Sequence, residues 1–519
     1  MTRHPARRRW WALAALGSSM LVLGFDLTIL NVALPHMAGQ LGADTGELQW
    51  IVDAYVVVFA ATMLPAGLLG DRFGRRRMLL AGFAVFLAGS LAGTLADSAA
   101  QVIAARAGMG LGAALMTPLA LSVLPSLFED ERERTKAIGV ITAAVAGGMP
   151  LGPIIGGWLL EHFWWGSVFL VNVPLAVVGI AACALLLPET RDPSAPRVGV
   201  LSSVLGVTGL AALVSGIIEG PERGWGDPLV TGAFAASAVL LAGLALLERR
   251  ATHPLLDLGL LAHPGFRWNA VAATLGTFVL AGQLFILPQY LQAVLGYDAF
   301  GTGLRLLPLM AGIVVAARGA GPLAARYGAR PVVSGGLVVL AFAAFLGART
   351  DVSDGYALTA AWLTVTGAGV GFAMVPAMDA ALAALPRDRA GSGSGLLMTV
   401  RQTGTALGVA LLGSLLSGTY RSGLDTGGLP GPAAEAAGDS VIAAHLVADR
   451  LALPSLRASA DAAFVEGMGQ VLAVCGFAAL AAALLTGTLL PNRRQGAPAE
   501  GTGTRGDADM ARSPGDARQ

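Results

Sequence analysis

The sequence predicts an all-α membrane protein: fourteen transmembrane helices, built as two parallel six-helix halves with two further helices inserted between them. Three observations predict it. The chain of 519 residues is 55% hydrophobic and only 13% charged, where soluble domains carry about 25% charged residues. Lys and Arg concentrate in alternate loops between the apolar runs. One loop pattern occurs twice, at equivalent places in the two halves.

A span needs about 20 mostly apolar residues. By that rule spans 1–6 lie near 10–35, 49–69, 78–96, 102–125, 137–160 and 168–187. Spans 7 and 8 lie near 199–218 and 229–247, and spans 9–14 near 268–290, 303–325, 331–348, 357–380, 391–416 and 464–490. The first run follows Arg7, Arg8 and Arg9 as a signal peptide would, but it contains Asp26 and lacks a small-residue cleavage site. It is longer than the roughly 7–15 residues of a signal-peptide core, so a retained first span is expected. Mean hydropathy is +0.67, and 70 glycines set in the apolar runs suit helices packed closely in lipid.

Loop charge tests the count. With the N-terminus inside, the inside segments hold about 22 basic residues, among them Arg72, Arg75, Arg76, Arg77, Arg134, Arg249, Arg326 and Arg387. The outside loops hold five: Arg223, Arg349, Arg421, Arg450 and Arg457. A missed span would invert that bias from the error onward, so both termini are expected in the cytoplasm. The expected division is 1–190 for the first six-helix bundle, 191–260 for the inserted pair and 261–492 for the second bundle. A long outside loop at 417–463 carries a surface helix near 440–453, and the Gly-, Asp- and Arg-rich tail 493–519 is expected to be disordered.

The repeated pattern reads Gly67-Leu-Leu-Gly-Asp71-Arg72-Phe73-Gly74-Arg75-Arg76 after span 2, and Gly321-Pro-Leu-Ala-Ala325-Arg326-Tyr327-Gly328-Ala329-Arg330 after span 10. Two copies on one side of the membrane mark parallel halves. Spans 7 and 8 lie between them, carry few polar residues beyond Ser and Thr, and are not expected to line a pathway. The second copy lacks the acid of the first, having Ala325.

Span 5 contains Gly148, Gly152, Pro153, Gly156 and Gly157. Glycines at i, i+4 and i+8 share a helical face and let another backbone approach, and Pro153 favours a kink. Packing alone accounts for that spacing.

Charges inside the spans are functional candidates because an ionised side chain in lipid costs at least about 2.5–3.5 kcal/mol. Four qualify: Asp26, Asp53, Arg106 and Arg401. Asp26, Asp53 and Arg106 are expected in one outer-half zone, where an Asp pulled between desolvation and a neighbouring Arg exchanges a proton. A static ion pair is the alternative for Asp26 and Arg106, and a water-facing edge residue for Asp53. Arg401 either balances the second half or holds an anionic group.

The loop 67–79 resembles the signature loop of the major facilitator superfamily. There it governs conformational switching, so the resemblance makes Gly67, Asp71, Arg72, Gly74 and Arg75 gating candidates. Residues 148–157 resemble the antiporter motif of its exporters. Arg106-x-x-x-Gly110-x-Gly112 resembles the fourth-helix motif, whose arginine is associated with proton coupling. Asp26-Leu-Thr28-Ile-Leu-Asn31-Val-Ala-Leu-Pro35 resembles the first-helix signature of the fourteen-helix drug:proton antiporters, the EmrB/QacA type. Gln49-Trp50, Phe169-Leu-Val-Asn172-Val-Pro174, Pro288-Gln289-Tyr290-Leu-Gln292 and Val400-Arg401-Gln402-Thr-Gly404 agree with it. One departure is Trp165-Gly166-Ser167, where the family has Trp-Arg-Trp.

The resemblance implies proton-coupled export of drugs, antibiotics or other amphipathic small molecules. Asn31, Tyr55, Gln283, Gln289, Tyr290, Arg401 and Gln402 are candidates for its cavity. A nutrient importer or uniporter on the same scaffold is the rival, and a transporter-like membrane sensor a third. The expected partners are a small-molecule substrate and the lipid bilayer, with no nucleic acid and a monomer as the working unit. No catalytic constellation, metal site or cofactor is expected. No Walker loop is present, which leaves an ion gradient, the proton gradient by resemblance, as the energy source. Cys183 and Cys475 both fall in apolar runs, which argues against a disulfide.

Overall fold

A chain with 55% hydrophobic residues must satisfy its backbone polar groups internally wherever it meets lipid, and helices do so within one segment. The computed structural model describes residues 6–128, 130–191, 199–251, 257–385 and 390–490, and among them no strand occurs. The first six long helices are α1 Ala6–Leu41, α2 Thr45–Phe73, α3 Arg75–Thr94, α4 Ala99–Ser122, α5 Glu131–His162 and α6 Asn172–Leu186. The inserted pair is α7 Val200–Arg223 and α8 Pro228–Arg250. The last six are α9 Pro264–Gln289, α10 Leu307–Tyr327, α11 Ala329–Gly347, α12 Tyr356–Ala383, α13 Ala390–Gly423 and α14 Pro454–Leu489. Among the described residues thirteen spans are long and apolar enough to cross a bilayer, and α2 makes a fourteenth with a 54° bend between Thr45–Met63 and Pro65–Phe73. Pro65 has no N–H to give the preceding turn, which accounts for the bend.

The same helix pairs pack together in both groups. In the first, α1 lies on α5 and α6, and both α2 and α3 lie on α4. In the second, α9 lies on α13 and α14, and both α10 and α11 lie on α12. The repeated loops match at the backbone too: Gly74 (φ 110°) ends α2 and Gly328 (φ 90°) ends α10. Both sit in the left-handed region that favours glycine. These two turns share one end of the bundle, the loop face. The opposite end, the cap face, begins α2 with Asp44, whose carboxylate accepts from the Glu47 N–H at 2.7 Å in a capping box.

The structure corrects several boundaries. Helix α1 runs on through Pro35 to Leu41, so His36 is inside a helix and not at its end. The segment 417–463 is not one long loop. Helix α13 extends to Gly423, α14 starts at Pro454, and two short helices, Gly431–Asp439 and Val441–Leu451, form a cap between them. The second cap helix buries Val441, Ala444, His445 and Ala448, an i, i+3, i+4, i+7 stripe. Buried His445 pairs with Asp461 of α14 at 2.8 Å. The tail 493–519 lies outside the described residues, as do Arg197, Arg387 and Arg389.

Helix α7 packs on α8, α2 and α13. The inserted pair stays clear of the central cavity but does more than face lipid. Ser202, Ser203, Gly206, Leu241 and Leu244 join Ala60, Ala61, Pro65, Thr399 and Thr403 around a small second cavity of about 160 Å³. Its place beside the α2 bend follows from Pro65, which leaves a gap where a straight helix would fill the seam.

Candidate functional site

A cavity of about 250 Å³ lies between the two groups. The first contributes Leu27, Thr28 and Asn31 from α1, Val52 and Val56 from α2, Arg106 from α4 and Met149 from α5. The second contributes Thr277, Leu280, Ala281 and Leu284 from α9, Ile313 from α10, five residues of α12 including Met374 and Met378, and Arg401, Gln402, Thr405 and Val409 from α13. These are equivalent helices of the two groups, the first, second, fourth and fifth of each. The wall is mostly apolar with a few polar groups, the usual make-up of a small-molecule site.

Behind the wall, Arg106 Nη1 donates to Asp26 Oδ2 at 2.7 Å, and both side chains are almost wholly buried. Asn172 Nδ2 donates to the other carboxylate oxygen at 3.1 Å, and Arg106 Nε donates to the Ile51 carbonyl at 3.2 Å. The guanidinium lies over the Tyr55 ring, 4.3 Å from its centroid. A buried pair that also satisfies its remaining donors and acceptors offsets most of its desolvation cost. Asn172 stands in the quoted span 6 motif without having been singled out. Its signal was an amide in an otherwise apolar helix.

Asp53 does not join this group. It is fully buried and neither carboxylate oxygen has a partner. One turn earlier on the same stripe, Gln49 packs directly on Gly413 of α13, so Asp53 faces the seam between the two groups. Asp26 and Arg106 pair directly, whereas Asp53, two residues beyond the Ile51 carbonyl that Arg106 bonds, makes no bond to either.

The cavity candidates divide in the same way. Asn31, Arg401 and Gln402 line the cavity. Tyr55 is buried beneath Arg106, and Gln283, Gln289 and Tyr290 are buried off the wall. Gln283 faces Trp362, Met468 and Leu472 within the second group. On α9 the cavity-facing stripe is Thr277, Leu280, Ala281 and Leu284, and Gln283 points elsewhere. Arg401 Nη1 touches the sulfurs of Met378 and Met398, each at 3.3 Å, and its Nε is buried without a partner.

The glycines of α5 do what their spacing allows. A methyl at Gly148 would overlap the Leu21 carbonyl, one at Gly152 the Thr28 hydroxyl, and one at Gly156 would press on Ile29, all on α1. Gly157 meets the second group instead, against Ala299 and Phe300, and Gly303 packs on the Pro153 backbone. These contacts lie toward the cap face. So do the hydrogen bonds joining the two groups among the described residues, Thr45 Oγ1 to the Asp439 carbonyl (2.7 Å) and Gln292 Nε2 to the Val32 carbonyl (3.0 Å). The cap face is therefore the closed end of this conformation.

At the loop face, Arg75 donates to Asp71 Oδ1 and to the Ser122 carbonyl, each at 2.9 Å, tying α2 to the end of α4. Gly67 and Gly70 pack against Pro118 and Leu119 of α4. Arg76 N–H donates to Glu189 Oε1 at 3.2 Å, and Arg77 pairs with the same carboxylate at 3.6 Å. Glu189 was not foreseen, since nothing in its local sequence marks it. Arg72 is exposed and lies on Phe73. Among the described residues no group of three or more His, Cys, Asp or Glu could hold a metal ion.

Comparison with known proteins accords with this architecture. The sequence profile of the Major Facilitator Superfamily matches residues 16–409. The chain is 33% identical to the tetracenomycin C resistance and export protein of Streptomyces glaucescens, over 92% of this chain and 90% of that protein. It is 34% identical to the multidrug efflux pump LfrA of Mycolicibacterium smegmatis, over 94% and 97%. The fold is similar to that of a bacterial homologue of the lysosomal transporter Spinster in an inward-facing, unoccupied conformation, with TM-score 0.67, 19% identity and coverage of 94% and 98%. The chain belongs to the major facilitator superfamily, within the branch that holds its drug-resistance and export proteins.

Proposed function

We propose that the protein exports drugs, antibiotics or similar amphipathic small molecules across the cell membrane in exchange for protons. The observation that carries this reading is the buried Asp26–Arg106–Asn172 cluster set directly behind a cavity shared by both groups. Relatives named for resistance and export support the outward direction. The loop face, rich in arginine, is taken as cytoplasmic by the positive-inside rule, with both termini on that side and a single chain as the working unit.

In this reading the conformation closed at the cap face accepts cargo from the cytoplasm or inner leaflet. Rocking separates Gly157 from Ala299 and Gly303 from Pro153, which opens the cavity to the outside. A proton arriving there neutralises Asp26 and loosens its hold on Arg106, and that rearrangement favours release of cargo. Return to the closed-cap state delivers the proton inside, where the ion pair re-forms. Asp53 is the second candidate carrier. An ionised carboxylate at its place would have no donor while the seam is closed, which suits a group that is neutral in this state and exchanges when the seam opens. The Asp71–Arg75–Ser122 link stiffens the loop-face end of the first group, which rocks as one body.

The test is direction and coupling together. In everted membrane vesicles, acidifying the lumen should drive accumulation of a fluorescent drug, and collapsing the pH gradient should release it. Drug movement that ignores the gradient would point to the uniporter instead.

A further inference from the structure

We infer that the cavity selects cargo bearing an acidic group on an aromatic body, and that Arg401 is the residue that reads the acid. This deepens the export reading and rests on it for the direction of transport, though not for binding.

Among the described residues the lining contains two arginines and no carboxylate. The two are not equivalent. Arg106 has its counter-charge in Asp26 at 2.7 Å and a further bond to the Ile51 carbonyl, so its charge is already answered inside the protein. Arg401 has none. Its Nη1 touches only the thioethers of Met378 and Met398, weak acceptors at best, and its Nε is buried and unpartnered. Asp379, next to Met378, is exposed and makes no ion pair with it among the described residues. The Arg401 backbone is held firmly, its carbonyl accepting from Thr277 and Thr405 at 3.2 Å each. A guanidinium with spare donors, carried on a held backbone at a cavity wall, offers bidentate geometry to a carboxylate, phenolate or enolate.

The surroundings choose the rest of the molecule. Met149, Met374 and Met378 line the same space, and thioethers make favourable contacts with aromatic rings while adapting to their shape. Gln402 adds one amide beside Arg401 for a neutral oxygen or hydroxyl. A cationic drug would meet the uncompensated charge of Arg401 with no acid on the wall to answer it.

Three probes of one shape test this: anthracene-9-carboxylate, its methyl ester and 9-(aminomethyl)anthracene, as anion, neutral and cation. Equilibrium binding to the full-length protein in detergent should favour the anion over the amine by about tenfold or more, the scale of a hydrogen bond to a charged group. Arg401→Gln should remove that preference, Arg401→Lys retain part of it and Arg401→Glu reverse it. Met378→Glu, which supplies a counter-charge and keeps the arginine, should also abolish it and serves if the Arg401 variants do not fold. Equal or tighter binding of the amine by the wild type, or equal weakening of all three probes in Arg401→Gln, would overturn the inference. Arg401-dependent binding of the anion with no exchange under a pH gradient in proteoliposomes would leave the inference standing and sink the export reading instead.

Discussion

The two six-helix groups present the same four helices to the cavity, yet they handle charge differently. In the first, Arg106 is locked to Asp26, bonded to Ile51 and stacked on Tyr55. In the second, Arg401 stands among methionine sulfurs and pairs with no acid among the described residues. A repeat that keeps its backbone plan and diverges in its charges divides labour. The self-neutralised arginine responds when its own carboxylate changes protonation. The uncompensated one responds to what enters the cavity.

The sharpest way to break this contrast is to make the first group resemble the second. Asp26→Asn leaves Arg106 without a counter-charge, and removing one partner of a buried pair costs about 3–5 kcal/mol. A large fall in unfolding temperature is expected, and Asp26→Asn/Arg106→Gln should recover most of it. Equal stability of the single and double variants would show that the pair is not held as described.

A smaller effect is expected where the two groups meet. Gly157 admits no side chain against Ala299 and Phe300 while the cap face is closed. Gly157→Leu should disfavour that state by about 1–3 kcal/mol, or about 5- to 150-fold in population. Thiol labelling at an introduced Asn31→Cys from the cap face reports it directly, and an unchanged labelling rate would contradict the closure assigned to this contact.

The smallest effect belongs to the loop face. Arg75→Ala removes the link from the start of α3 to Asp71 of α2 and Ser122 of α4, with both ionic partners about a quarter to a third exposed. Exposed pairs contribute about 1 kcal/mol or less, so transport should slow by no more than about fivefold with substrate affinity intact. A change in affinity alone would mean that the loop shapes the cavity and not the switch.

Much of the fold was legible because lipid imposes a coarse rule. Apolar length sets spans and loop arginines set their alternation, neither of which needs a side-chain direction. The repeat at Gly74 and Gly328 was legible because both turns need the same positive φ. The site was legible only in part. Asp26 and Arg106 announce themselves as charges at depth, and Asn31, Arg401 and Gln402 as polar residues on spans. Whether a polar residue faces the cavity depends on the rotation of its helix, a matter of a few tens of degrees that composition does not encode. That is why Asp53 turned to the seam, why Gln283 turned into the second group, and why Gln289 and Tyr290 are buried off the wall. The cap was half legible: the helix expected near 440–453 is Val441–Leu451, whereas Gly431–Asp439 stayed hidden because it is short, rich in Gly, Pro and Ala, and held near its end by tertiary bonds to Thr45, Tyr420 and Arg421.

In this mechanism Asp26, answered by Arg106, is where proton movement meets cargo movement. Proteoliposomes loaded with a pH-sensitive dye test it most directly, with proton flux recorded on addition of a transported drug. The wild type should move protons only when drug is present, and the stable Asp26→Asn/Arg106→Gln protein should move none. Drug-dependent proton flux at the wild-type rate in that variant would contradict the account and place coupling elsewhere in the molecule.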